Sequence, residues 1–309
     1  MVSIKKRLIS GREYFYLQHS VRTPGGVQTQ EKYLGAKLPA DIESVKRDFL
    51  IEIYKSRWYP LLDDIKTNYS REKRRMPPSA ARKEAQSFSV RFTYNSNRIE
   101  GSTLTYRETA NLLEEGISPR AKPLEDIKEA EAHARVLEMV LGHKKDISMQ
   151  VILLWHKRLF EGTKPDIAGR IREHQVAISG SRYMPPLPSE VQPLLREFFR
   201  WYDRNKTVLH PVELAAGAHL KFVTIHPFAD GNGRISRLLM NFVLQRHGYP
   251  LLSIPYGNRR SYYNALERSQ VKNVDSIFTQ WFFKRYLKEH AAYAGSRERE
   301  SLDQDSRKR

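Results

Sequence analysis

The sequence predicts a mostly α-helical protein, with a β-hairpin set among the helices and a small β-rich appendage ahead of them. Three observations carry that prediction. From Gln86 onward, apolar residues recur at helical spacing in nine windows separated by short loops. Residues 3–34 instead favour aromatic and β-branched side chains around the turn residues Thr23-Pro24-Gly25-Gly26. Hydrophobic residues make up 40% and charged residues 28% of the 309, the balance of a chain that buries a core.

In chain order, REYFYLQHSVR and VQTQEKYLG read as strands of a hairpin or three-stranded antiparallel sheet within residues 1–39. Val45, Phe49, Ile53, Leu61 and Ile65 then mark an amphipathic helix from Asp41 to about Asn68, with Pro60 as its expected point of bending. The stretch SREKRRMPPSAARKE, residues 70–84, joins a charge run to a Pro-Pro pair and reads as a linker, so residues 40–85 form a connecting helix and linker. Helices are expected over 86–98, 106–116, 124–143, 147–161, 189–204, 211–225, 234–247, 259–270 and 273–290, each bounded by Gly, Pro or a capping residue. Among them lies EHQVAISGSRYMPPL, 173–187, whose β-like run, Gly180 and Pro-Pro pair predict a hairpin. The helical domain therefore spans 86–290, and the charged, small residues of 291–309 read as a disordered tail.

The chain has no cysteine, which excludes disulfides and thiolate metal sites and makes a reducing, cytoplasmic setting the expectation. Met1 to Leu17 lack the apolar core of an export signal, and no run approaches the roughly 20 apolar residues of a membrane span. No membrane partner is expected. The formal net charge is +18, with seven Lys/Arg against two Glu in residues 1–39 and the same ratio in residues 66–84. In the first of these, Lys5, Lys6, Arg7, Arg12, Arg22 and Lys32 interleave with Tyr14, Phe15, Tyr16 and Tyr33, a mixture suited to phosphate contact and base stacking. Nucleic acid is thus a candidate partner of the appendage, against the plainer reading of a solvated basic face.

The densest chemistry is His226-Pro-Phe-Ala-Asp-Gly-Asn-Gly-Arg-Ile-Ser-Arg237. The helix 211–225 presents Leu214, Ala218, Phe222 and Ile225 on one face and delivers His226 at its end, where Pro227 stops it. Gly231 and Gly233 permit positive φ, so successive N–H groups can form an anion-cradling nest, and the next helix adds its positive dipole end. Arg234 and Arg237 project from the first turn of that helix. Asp230 beside them suits a Mg²⁺ that bridges phosphate oxygens. His226, with an ordinary pKa near 6.5, suits a base that takes a hydroxyl proton. The ensemble is a phosphoryl-type transfer site.

HPFADGNGRISR resembles the signature of the Fic (Fido) family, His-Pro-Phe-x-Asp/Glu-Gly-Asn-Gly-Arg-x-x-Arg, with every defining position present. That resemblance implies a Fic fold and transfer of AMP from ATP to a Tyr, Thr or Ser hydroxyl of a protein, with release of pyrophosphate. It assigns His226 as the base and Asp230 as the Mg²⁺ ligand. Asn232, with the backbone around Gly231 and Gly233, is assigned to the α- and β-phosphates. Arg234 would hold phosphate too, and Arg237 the γ-phosphate. Residues 176–187 resemble the family's flap, so Val176, Ala177 and Ile178 would align the target as an added strand. Tyr263 resembles the residue lining the adenine pocket, with Gln270 where some relatives carry Asn.

Upstream, SNRIEG, Ser96 to Gly101, matches the family's inhibitory pattern Ser/Thr-x-x-x-Glu-Gly/Asn. By that resemblance Glu100 pairs with Arg237 and takes the place of the γ-phosphate, which makes this a self-inhibited member of the class with an N-terminal motif. The plainer reading is a helix C-terminus capped by Gly101 with Glu100 solvated. The same glutamate could instead serve removal of AMP from a modified target. Other readings are a different phosphate donor, or a nucleic-acid-binding regulator with a nucleotide-sensing Fic domain. Self-modification at Tyr94, Ser96 or Thr103 and control by a homodimer stay open at this point. His219 reads as a packing histidine.

Overall fold

A computed structural model describes residues 2–23 and 26–294, and among them the chain is mostly helical, as expected. Pro24 and Gly25 of the expected turn, and residues 295–309 of the expected tail, lie outside the described residues. The chain divides into two compact units: residues up to Asp64 with those after His290, and Ile65–His290.

In the first unit, strands β1 (Ser3–Ile9), β2 (Arg12–Thr23) and β3 (Gly26–Gly35) form an antiparallel sheet in that order. Alternation along β2 sends Leu17 and Val21 to one face. There they meet Ile4 and Leu34 and, from the start of helix α1 (Ile42–Arg75), Val45, Phe49 and Ile53. Asp41 starts α1, its Oδ1 accepting the Ser44 N–H at 3.0 Å.

The helix continues through Pro60 to Arg75, and α2 (Pro78–Ile99) follows after Met76 and Pro77. The linker expected over 70–84 is therefore helical apart from two residues. Its Arg, Glu and Lys are good helix formers that need no buried face, and the Pro-Pro pair starts α2, where a proline lacks no bond that a helix could make.

The remaining helices are α3 (Tyr106–Glu115), α4 (Leu124–Gly142), α5 (Met149–Phe160), α6 (Pro188–Asn205), α7 (Pro211–Ile225), α8 (Asn232–Arg246), α9 (Arg259–Lys272) and α10 (Asp275–Glu289). Most ends fall within two residues of those expected. At the centre, α7 packs against α6, α8 and α10, while α4 packs against α2, α5 and α8. Helix α7 is apolar nearly all round, as a helix covered on every side must be. Leu214, Ala218, Phe222, Leu238 and Leu239 are all fully buried. This packing brings the start of α8, the end of α7 and the end of α2 together.

Leu239→Ala should lower the stability of the helical unit by about 2–5 kcal/mol, through lost burial and a residual cavity. Chemical denaturation measures it, and an unchanged midpoint would show that the α7–α8 seam is not the core.

Candidate active site

The site begins with a strained residue. His226 caps α7 in the left-handed region, φ 52°, where a side-chain-bearing residue is disfavoured by about 1–2 kcal/mol. Pro227 prevents the helix from running on. Arg172 holds the corner: its Nε donates to the His226 carbonyl at 2.8 Å, and its backbone N–H to the Pro227 carbonyl at 3.0 Å. His226 Nδ1 lies 3.2 Å from the Val223 carbonyl. A carbonyl only accepts, so Nδ1 carries the proton and Nε2 the lone pair. Burial pushes this imidazole below its ordinary pKa, with Arg172 adding to the shift against the Val223 carbonyl and Glu100. The ring is neutral at pH 7.

The loop from α7 to α8 is closed by its own side chains. The Asn232 carboxamide donates to the Phe228 carbonyl at 2.8 Å and accepts the Phe228 N–H at 2.9 Å. The His156 ring stacks on Phe228 with centroids 3.8 Å apart. Its Nε2–H donates to the Asp230 carbonyl at 3.0 Å, and its Nδ1 accepts the Gly169 N–H at 2.9 Å. Burial pushes His156 down to about 4, so the ring is neutral, and these two bonds fix its tautomer. Gly231 sits at φ 82°, and a Cβ there would overlap the Phe160 ring, so two independent constraints select glycine. Helix α8 then starts at Asn232 with no side-chain cap, leaving its first N–H groups to an anion.

Beside that helix end stands the Glu100 carboxylate. Its Oε1 accepts from Arg237 Nη2 at 2.6 Å, and a Cβ on Gly233 would overlap that same oxygen. Arg237 is 1% exposed. Its Nε donates to Ser96 Oγ at 3.0 Å, Nη2 to the Ser96 carbonyl at 3.0 Å, and Nη1 to the Tyr262 hydroxyl at 3.4 Å. Burial opposes the charge of Arg237, but Glu100, with Tyr262 and Tyr263, outweighs it and raises the pKa of the guanidinium further. His219 packs behind, its Nε2 2.9 Å from the Tyr262 hydroxyl.

The other end of the loop is a second cluster of charges. Asp230 accepts from Lys164 Nζ at 2.7 Å, from the Gly231 N–H at 2.5 Å and from Arg234 Nη2 at 3.2 Å. Lys164 also reaches Glu125 at 2.9 Å and Glu129 at 3.4 Å, and Arg234 pairs with Glu129. Burial works against the charged form of Asp230, but Arg234 and Lys164 outweigh it and hold the carboxyl below its ordinary range. Arg234 lies 4.6 Å over the Phe160 ring, and its Nε is buried without a partner among the described residues.

His226, Asp230, Gly231, Asn232, Gly233, Arg234, Arg237, Ser96 and Glu100 are thus gathered at the head of α8. Gly101, at φ 108°, stops α2 just beyond Glu100. Asn232, assigned to the α- and β-phosphates with the backbone around Gly231 and Gly233, spends its carboxamide on Phe228 and is 2% exposed, so what it offers an anion is its backbone. One expectation changes. The stretch 173–187 is not a hairpin, because it pairs no strands. Pro185 and Pro186 on its returning leg supply no N–H for a ladder. Side chains join the legs instead: Arg172 donates to the carbonyls of His174 and Pro186 at 3.0 and 2.6 Å, and Gln175 to that of Pro185 at 2.9 Å. Val176, Ala177 and Ile178 lie on the outgoing leg, before a turn closed by the Ser181 N–H on the Ile178 carbonyl at 3.1 Å. The Tyr263 hydroxyl, 3.0 Å from the Ile99 carbonyl, pins the end of α2, and Gln270 bonds Thr224 Oγ1 at 3.2 Å.

Sequence reasoning passed over Arg172, His156, Lys164, Glu129 and Tyr262. The first three lie within twenty positions ahead of the flap and carry no contiguous motif; only the fold brings them to the loop.

Comparisons with known proteins agree with this geometry. The model of the Fic/DOC family matches residues 146–244. A Fic domain containing signaling protein from Bacteroides thetaiotaomicron superposes with a TM-score of 0.67 at 30% identity, covering 74% of this chain and 95% of that one. Fic-1 from C. elegans gives a TM-score of 0.68 at 27% identity, over 82% of this chain and 77% of that one. The protein adenylyltransferase Fic of Drosophila melanogaster is 38% identical over 191 residues, 60% of this chain. The chain spans 38% of the length of that curated relative. The chain belongs to the Fic/DOC family.

His226 should titrate below 6.5, and NMR of the imidazole reports it directly; a value above 6.5 would contradict the buried, Arg172-flanked setting.

Proposed function

We propose that this protein transfers AMP from ATP to a hydroxyl of a protein, and that Glu100 holds the reaction back. The observation that carries the reading is the neutral His226, with Nδ1 spent on Val223 and Nε2 bearing the lone pair, at the head of an uncapped helix whose buried Arg237 already holds an acidic side chain. The relative named protein adenylyltransferase Fic supports the same chemistry.

The reaction follows from these groups. His226 Nε2 accepts the proton of the target hydroxyl as that oxygen bonds to the α-phosphorus. The bond from phosphorus to the bridging oxygen breaks, pyrophosphate leaves with the electron pair, and AMP stays on the target. The first N–H groups of α8 and the Arg237 guanidinium hold the phosphates in line. Asp230 would hold Mg²⁺, and the fit is chemical: an ionised carboxylate beside an anion-binding helix end, the donor set Mg²⁺ takes together with phosphate oxygens. When bound, the ion offsets phosphate charge. Lys164 stands on the same carboxylate and must yield part of it.

Glu100 restrains the reaction by holding Arg237, the only partner the γ-phosphate has in this reading. A charge-assisted bond contributes about 1.5–3 kcal/mol, so losing it favours the productive pose by roughly tenfold to a hundredfold. One observation favours a second activity of the same site. Among the described residues only Oε1 of Glu100 is engaged, and the side chain is 27% exposed, so Oε2 is placed to hold a water for removal of AMP.

With α-phosphate-labelled ATP and Mg²⁺, Glu100→Gly should label protein at least tenfold more than the wild type, and Glu100→Gly/His226→Ala should not label at all. Equal labelling by wild type and Glu100→Gly would remove the restraint. On an AMP-modified target the direction reverses: the wild type should remove AMP and replacement of Glu100 should abolish that removal, whereas no removal by the wild type, or equal removal by the variant, would overturn the second activity.

A further inference from the structure

The N-terminal sheet has a second face that the nucleotide site does not explain. Strand alternation sends Phe15, Leu17 and Val21 toward the core of their own unit and Arg12, Tyr14, Tyr16 and Gln18 to the opposite side. Register completes that outer face: Arg7 lies opposite Tyr14, Lys5 opposite Tyr16, and Tyr16 opposite Tyr33. Three tyrosine rings adjoin, Tyr33 lying 5.2 Å from Tyr16 and 6.1 Å from Tyr14, centroid to centroid. The Arg7 guanidinium covers the Tyr16 ring at 4.7 Å and is anchored by Glu31 at 2.6 Å. Tyr33 is 56% exposed, a large aromatic surface left in water.

Charge is distributed unequally between the two faces. On the core side, Lys6 pairs with Glu13, and Lys32 with Glu52 at 3.1 Å. On the outer side, Lys5 and Arg12 form no ion pair among the described residues, and Glu31 is the one carboxylate on that face. A positive surface paved with aromatic rings fits a ligand that is both anionic and flat-faced.

We propose that this outer face binds single-stranded nucleic acid, with bases stacked on Tyr14, Tyr16 and Tyr33 and backbone phosphates on Lys5, Arg7 and Arg12. Single strands expose the base faces that stacking needs, whereas a duplex keeps them inside. An acidic peptide would use the cations and leave the rings idle. An anionic membrane surface also takes tyrosine at its headgroup level, and the vesicle arm of the test separates it from a single strand.

The test uses the full chain and fluorescence anisotropy, with labelled oligo-dT and oligo-rU, a DNA duplex of the same length, and phosphatidylserine vesicles in a separate sedimentation arm. Tighter binding of either single strand than of duplex supports the proposal. Tyr33→Ala and Tyr33→Leu should each weaken single-strand binding roughly tenfold, and Tyr33→Phe should retain it. Lys5→Glu/Arg12→Glu should lower affinity and flatten the salt dependence by a slope of about one to two. Arg74→Glu/Arg75→Glu, the same charge change at the end of α1, should bind within twofold of wild type. Melting curves of each variant establish that it is folded, and Tyr33→Leu keeps apolar bulk should Tyr33→Ala fail. The proposal is overturned if duplex or vesicles bind as tightly as single strands, if Tyr33→Ala and Tyr33→Leu bind like the wild type, or if the α1 variant loses as much as the sheet variant.

Discussion

A guanidinium at 1% exposure organises the helical unit. Arginine stays charged in any folded protein, so Arg237 cannot escape burial by losing its proton and must be answered by oxygens. Four hydrogen bonds answer it, three to residues of α2 or its cap and one to α9. Those bonds draw the end of α2, the start of α9 and the head of α8 to a single point. Three of them are to neutral oxygens; only Glu100 brings a compensating charge. A buried cation with one exchangeable counter-ion is a place where another anion can compete.

The opposite end of the loop obeys the same rule with the signs reversed. Asp230 is held by Lys164 and Arg234, and both of those cations share Glu129. Between these two clusters the backbone is locked independently, by the Asn232 carboxamide, by His156 and by Arg172. The amides at the head of α8 are thus fixed before any ligand arrives, which spares a bound phosphate the entropy of ordering them. What remains adjustable is the pairing of charges at each end, by side chains alone.

How much of this was legible in the chain depended on distance along it. The stretch from His226 to Arg237 could be read because its helix stop, glycines and arginines are local and contiguous. Ser96 and Glu100 could be read as a pattern, yet the contact to Arg237 spans 137 positions and only packing closes it. Arg172, His156 and Lys164 were illegible because each acts on a backbone carbonyl or carboxylate that sequence spacing does not place. The 173–187 stretch was misread because its β-like residues drew more weight than the two prolines, which supply no N–H to a ladder. Residues 70–84 were misread for a related reason: a charge run was taken for a linker, although an exposed helix tolerates one well.

The position of Glu100 also says how a restraint of this kind could be lifted. The end of α2 does not depend on the Glu100 side chain: the Glu100 N–H bonds the Asn97 carbonyl at 3.0 Å, the Ser102 N–H bonds it too at 3.0 Å, and the Tyr263 hydroxyl holds Ile99. The Glu100 carboxylate can therefore rotate away without unfolding the helix that carries it. Release then involves one ion pair and a rotamer, roughly the strength of one charge-assisted bond, which a triphosphate placing its own charge on Arg237 can match. A restraint near that size keeps the competent state within reach of thermal fluctuation. In the proposed reading it makes the site a slow enzyme awaiting a bias, and any contact that shifts the Glu100 side chain by one rotamer is sufficient to supply it.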